Sequence, residues 1–283
     1  MCDDVCFTDL SRREFGTLTL AAGAVAASTS AQAAMAVTET DVEIKTPDGV
    51  ADAVLTHPTT GTHPGVLVWT DIMGLRPAFR DMARRLAGEG YTVLTPNPFY
   101  RSGKVPPTGL GLNFQDPDAR GKMMQLMGAL VAPGAAERDA AAFVAWLDAQ
   151  SQVKKSAKIG TSGYCMGGPL IMRTAASLPG RIGAAGSFHG GGLVTDKPES
   201  PHLMIPKMKA KMLIAIATDD DAKQLDAKDV LKAAFAANKV QAEVEVYTDT
   251  KHGWCVPGSP VHNPTAADRA YERLTALFKS ALV

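Results

Sequence analysis

The sequence predicts an α/β chain: a mostly parallel, doubly wound sheet of about eight strands with helices on both faces. Three observations predict it. From residue 65 onward, short apolar runs alternate with segments of helical periodicity. Those runs are uninterrupted by polar residues, as strands covered on both faces are. A chain of 283 residues with 46% hydrophobic content can bury one substantial core.

The elements follow in order. Val42–Thr46 and Ala51–His57 alternate in polarity around Pro47-Asp48-Gly49 and read as an antiparallel hairpin. Gly65–Trp69 is the first strand buried on both faces, and Phe79–Ala87 is a helix ending near Gly88-Glu89-Gly90. Tyr91–Leu94 is a strand, and Ser102–Asp118, rich in Pro and Gly, is expected to be a loop over the active face. Helix Ala135–Ala149, strand Ala157–Thr161 and helix Gly167–Leu178 come next. Strands Ala184–Phe188, Met212–Ala217 and Glu243–Tyr247 complete the sheet, with helices Ala222–Asn238 and Thr265–Leu282. No internal repeat or second folded domain is evident, so residues 34–283 are expected to form one domain.

Residues 1–33 read differently. Ser11-Arg12-Arg13-Glu14-Phe15 precedes a mildly apolar stretch, Leu18–Ala27, and then Ala31-Gln32-Ala33, an A-x-A cleavage pattern. This resembles a twin-arginine export signal, which implies a periplasmic protein and the twin-arginine machinery as a partner. The same stretch also reads as an N-terminal arm on a cytoplasmic protein. The apolar run is too short and too weak for a stable membrane span.

Lys+Arg and Asp+Glu number 29 each, so no global field draws the chain to nucleic acid or an anionic surface. Removing residues 1–33 leaves 27 basic and 25 acidic residues, a net charge of +2, and changes nothing in this respect. A small-molecule partner is the expectation. The cysteines are Cys2, Cys6, Cys165 and Cys255; they form no CxxC pair and show no metal-ligand spacing.

The chemistry centres on Gly163-Tyr164-Cys165-Met166-Gly167-Gly168, directly between a predicted strand and a predicted helix. A Gly-x-nucleophile-x-Gly segment in that context is a nucleophile elbow. A sharp turn exposes the nucleophile at the strand's end, and the glycines allow strand and helix to pack closely. This predicts an α/β-hydrolase fold with Cys165 in the position usually held by serine. In that fold an acid and then a histidine follow in chain order. Strand Met212–Ala217 ends in Thr218-Asp219-Asp220-Asp221, and Glu243–Tyr247 is followed by His252-Gly253-Trp254. His252 is the base by order and position, whereas spacing alone does not choose among the three aspartates. His189, after strand Ala184–Phe188, reads either as a pocket-lining residue or as a hydrogen-bonded loop histidine.

Together these motifs resemble the dienelactone hydrolases, from about residue 40 to the C-terminus. Gly163–Gly168 resembles the family's G-Y-C-x-G-G elbow, and Thr70-Asp71-Ile72-Met73-Gly74-Leu75 is similar to its glutamate-Ile-x-Gly loop. Pro96-Asn97-Pro98-Phe99-Tyr100-Arg101 resembles the segment ending in a substrate-binding arginine. The resemblance implies a triad of Cys165, Asp220 and His252, without cofactor or metal, acting on lactones or small esters. It also implies an oxyanion hole from the backbone N–H groups of Ile72 and Met166. Asp71 takes the place of a glutamate that gates the resting cysteine, or else caps the following turn; Arg101 takes that of a carboxylate-binding arginine, or else is a solvated loop arginine; Tyr164 and Trp254 flank the site. A second family arginine lies four residues beyond the histidine, where this chain has Val256. Trp254, Cys255 and Val256 are therefore expected to make one wall of the pocket apolar.

Two other readings come from different classes. Cys255 could approach Cys165 in a thiol redox or binding protein that has lost hydrolysis. Asp219–Asp221 with His252 could serve a metal-dependent hydrolase, although a turn plus one orienting acid is the simpler use of such a run.

Overall fold

The computed structural model describes residues 34–104 and 116–282. The expected export segment lies outside the described residues, as does most of the expected 102–118 loop. Eight strands form one sheet in the order β1-β2-β4-β3-β5-β6-β7-β8. Strands β1 (Val37–Thr46) and β2 (Gly49–Pro58) make the predicted hairpin, with Thr46 opposite Gly49. β2 pairs antiparallel with β4 (Thr92–Pro96), and every pairing beyond β4 is parallel. The remaining strands are β3 (Gly65–Trp69), β5 (Ile159–Tyr164), β6 (Ile182–Phe188), β7 (Lys211–Ala217) and β8 (Ala242–Tyr247).

Successive side chains of a strand point to opposite faces, so each central strand feeds two cores. In β3, Leu67 and Trp69 enter one layer, and Val66 and Val68 enter the other. The first layer is closed by α2 (Pro117–Val131), α3 (Ala135–Ala149), α4 (Gly167–Ser177) and α6 (Ala227–Ala237). The second lies under α1 (Pro77–Gly88) and α7 (Pro264–Ala281). This is the α/β-hydrolase architecture, with helices on both faces of a mostly parallel sheet.

Two expectations are corrected. Residues after Asp116 form helix α2, which the sequence reading left without an element. Its start was legible, because Asp116 caps the N–H of Asp118 at 2.9 Å and Pro117 sits at the first helical position. Its interior, with Gly121, Gly128 and an indistinct apolar stripe, hid it. The single helix expected over Ala222–Asn238 is two helices. α5 (Thr218–Lys223) starts directly after β7, its three aspartates at the positive end of its dipole, and α6 begins at Ala227.

Candidate active site

Strand β5 runs to Tyr164 and α4 begins at Gly167, so the reversal is made within two residues. Cys165 occupies the left-handed region at φ 54°, a conformation that non-glycine residues rarely adopt. The glycines around it are required by contact. A Cβ on Gly163 would stand 2.1 Å from the carbonyl oxygen of Gly167, and one on Gly167 would stand 2.5 Å from that of Trp69. The N–H of Cys165 donates to the carbonyl of Phe188 at 3.0 Å, anchoring the turn to β6. The thiol is free and half-buried.

The three aspartates of α5 have separate tasks. Nδ1 of His252 donates to Oδ2 of Asp220 at 2.7 Å, and the backbone N–H of His252 donates to Oδ1 of Asp219 at 2.8 Å. Asp221 instead accepts from Lys228 Nζ at 2.8 and 3.0 Å. The ambiguity left by spacing is thus resolved by geometry: Asp220 orients the ring, Asp219 holds the loop, and Asp221 ties α5 to α6. Their carboxylates diverge, and among the described residues no three Asp, Glu, His or Cys side chains converge as metal ligands.

Electrostatics follow from this pairing. Burial works against charge on His252, but the Asp220 hydrogen bond and the neighbouring Cys165 sulfur outweigh it, pushing its pKa up to about 10. Burial likewise opposes ionisation of Asp220. Hydrogen bonds from His252 and from Lys223, whose Nζ is 3.1 Å from Oδ1, nevertheless hold its pKa below the usual value.

Neither the N–H of Met166 nor that of Ile72 has a hydrogen-bond partner among the described residues. Two donors without partners, one beside Cys165 and one in the loop after β3, are what an oxyanion would require.

Other expected site residues are placed differently. Asp71 receives the N–H of Met73 at 2.9 Å and a two-pronged ion pair from Arg76 at 2.6 and 2.7 Å. It makes no hydrogen bond with Cys165, so it caps its turn. Arg101 is half-buried and engaged by two acids. It grips Asp139 with two hydrogen bonds of 2.8 Å and reaches Asp48 at 2.5 Å. Asp139 is fully buried and also accepts from the Tyr100 hydroxyl at 2.6 Å. A lone acid on the apolar stripe of α3, four residues before Phe143, was the sequence signal for this partner.

His189 is fully buried at φ 41°, and among the described residues neither ring nitrogen has a hydrogen-bond partner. It is thus not the hydrogen-bonded loop histidine; its ring packs edge-on at 5.0 Å from that of His252 and 5.2 Å from that of Trp254. Burial, then the neighbouring His252, lowers its pKa to about 3. Trp254, Cys255 and Val256 do not make a pocket wall beside the nucleophile. All three turn into the α1–α7 core layer, where Trp254 stacks on Tyr247 at 5.3 Å. Tyr164 points into the same layer and stacks on Phe188 at 5.1 Å. Cys255 thus belongs to the layer opposite the one that Cys165 packs against, and both thiols are free.

Comparison with known proteins identifies the family and the fold. A family model described as "Dienelactone hydrolase family" matches residues 51–282. A Methylorubrum extorquens sequence provisionally named as a carboxymethylenebutenolidase is 27% identical over 284 residues, covering 96% of this chain and 94% of the relative. Carboxymethylenebutenolidase from Pseudomonas putida is 25% identical over 234 residues, covering 82% and 92%. Among solved structures, a dienelactone hydrolase-like promiscuous phosphotriesterase from metagenomic libraries superimposes with a TM-score of 0.73 at 22% identity. That match covers 88% of this chain and 100% of the other, and establishes the fold.

Proposed function

The chain belongs to the dienelactone hydrolase family, and from that premise we propose that it hydrolyses neutral lactones or small carboxylic esters through Cys165. One observation carries the reading. A cysteine at φ 54° in a strand–helix elbow neighbours an imidazole oriented by a carboxylate at 2.7 Å.

In the proposed cycle the Cys165 thiolate attacks the carbonyl carbon, and the oxyanion is held by the Met166 and Ile72 N–H groups. The tetrahedral adduct collapses as the C–O bond breaks, and the His252 imidazolium gives its proton to the departing alkoxide. A water then attacks the thioester while His252 takes its proton. Expulsion of the thiolate releases the acid and restores the ion pair. Asp220 keeps the ring aligned throughout.

The preference for neutral substrates rests on two positions. Arg101 is committed to Asp139 and Asp48, and position 256 holds a buried valine. The test is turnover of p-nitrophenyl acetate, δ-valerolactone and an anionic dienelactone by wild type and Cys165→Ala. Undiminished hydrolysis by Cys165→Ala would sink the mechanism; a marked preference for the anionic lactone would sink the substrate reading. Export through the twin-arginine route is a companion proposal, resting on Ser11–Phe15 and the apolar stretch after it. Fractionation that leaves the full chain in the cytosol would overturn it.

A further inference from the structure

The second core layer contains a cavity of about 280 Å³ that the proposed chemistry does not use. It lies between α1 and α7. Its floor is buried and comes from Val68, Tyr164, Phe188 and Cys255. Its walls are Met82 and Leu86 of α1 and Ala267 and Tyr271 of α7. Polar side chains appear at the exposed rim, where Asp81, Arg85 and Asp268 stand. An apolar interior with a few polar groups at fixed positions is the usual form of a small-molecule site.

The charges at the rim are already neutralised. Arg85 pairs with Asp268 at 2.8 Å and lies 3.7 Å above the Tyr271 ring, and Asp81 pairs with Arg84. Half-buried His262 also lines the cavity, and on its floor Tyr164 and Cys255 could meet a ligand's polar atom. Tyr164 is 5% exposed, and its hydroxyl has the Ser162 side chain as a neighbouring hydrogen-bonding group. Cys255 is 7% exposed, and burial raises its thiol pKa well above the ordinary value. Burial also raises that of Tyr164, so both groups are neutral donors. For size, an apolar cavity of about 150 Å³ accepts benzene, so this one has room for two fused rings.

We propose that this cavity is a second ligand site, distinct from the Cys165 pocket. It takes a neutral, largely apolar molecule about the size of a two-ring aromatic, with one oxygen that accepts from the Tyr164 hydroxyl. Such a ligand touches the backs of both catalytic loops. Tyr164 directly precedes Cys165, and Cys255 lies three residues after His252. It does not enter the space in front of the nucleophile.

The probe is 2-naphthol, titrated calorimetrically into the full-length protein. Saturable 1:1 binding is expected, retained after Cys165 is carboxamidomethylated and without competition against p-nitrophenyl acetate. Ala267→Phe and Met82→Trp, filling the cavity from opposite helices, abolish binding in proteins that keep their cooperative melting transition. Tyr164→Phe weakens binding about five- to tenfold through loss of one hydrogen bond. This last variant decides the matter if both filled proteins misfold. Absence of saturable binding, binding unchanged by all three substitutions, or loss of binding on Cys165 alkylation would each overturn the proposal. The calorimetric readout does not depend on hydrolysis, so failure of the catalytic reading would leave it interpretable.

Discussion

Nδ1 of His252 donates to Oδ2 of Asp220 at 2.7 Å, while the adjacent Asp219 takes the backbone N–H of the same histidine at 2.8 Å. Two neighbouring acids of identical chemistry therefore separate into an orienter of the ring and a clamp on the loop. Asp220→Asn is expected to cut kcat for p-nitrophenyl acetate by at least about 100-fold, the low end for a general acid–base system. Asp219→Asn is expected to lower it less than about tenfold, because the ring keeps its carboxylate and one loop hydrogen bond is weakened. Equal losses in the two variants would contradict the division.

The pH behaviour follows from the raised pKa of His252. In the proposed cycle the leaving alkoxide takes its proton from the imidazolium, so kcat/KM should fall as pH rises through about 10, where that proton is lost. In Asp220→Asn the descending limb moves to lower pH. Stability has the same sign. A histidine whose folded pKa exceeds its unfolded value stabilises fully below about 6.5 and loses that contribution as pH climbs through about 10. Urea titrations between pH 6 and 10.5 check this, and a decline that Asp220→Asn does not reduce would count against it.

His189 acts in the opposite direction. Its pKa falls to about 3 in the fold, so between the ordinary histidine value and 3 the unfolded chain binds a proton that the native protein does not. Stability is therefore lost as pH falls through that window. His189→Phe keeps a ring in the same position and removes the titration. The slope of unfolding free energy against pH between 6.5 and 4 is expected to flatten in this variant, whatever its absolute stability. An unchanged slope would show that His189 does not carry the acid sensitivity.

Arg101 is predicted to matter for stability. Removing its guanidinium leaves the fully buried Asp139 without its main counter-charge, with only the Tyr100 hydroxyl still donating. Arg101→Met is expected to destabilise the fold by about 3 kcal/mol, as breaking a buried pair typically does. KM for neutral esters should be unaffected. Chemical denaturation and steady-state kinetics on the same preparation separate the two, and a raised KM with unchanged stability would return Arg101 to the substrate.

The elbow offers a steric prediction. With a Cβ at position 163 only 2.1 Å from a carbonyl oxygen, Gly163→Ala cannot be accommodated by side-chain movement. The expected cost is about 3 kcal/mol or more, with loss of activity, since strand and helix must separate to admit the methyl. Gly191→Ala, with open space around its Cβ, serves as the control and should change stability by less than about 1 kcal/mol. Melting curves of the two proteins provide the comparison.

Much of this was legible in the residues. All eight strands, the elbow at Cys165 and the placing of His252 beside it could be read from periodicity, glycine placement and chain order, because these are local patterns or consequences of one connection rule. Helix α2 escaped because its cap was clear but its apolar stripe was not. Trp254, Cys255 and Val256 were expected to face substrate, yet apolar residues after a histidine are equally suited to core, and no periodicity exists within a three-residue loop segment to decide.

What the sequence determined by itself was the order of Cys165, the aspartate run and His252 along the chain and the sharp turn at Cys165. What only the tertiary structure decided was the pairing of charges. Asp220 rather than its neighbours meets the ring, Arg101 is consumed by Asp139, and Asp71 by Arg76. The reason is physical. Backbone conformation is set over a few residues, whereas a buried charge takes whichever opposite charge folding brings within hydrogen-bonding reach, and for Arg101 that partner lies 38 residues away.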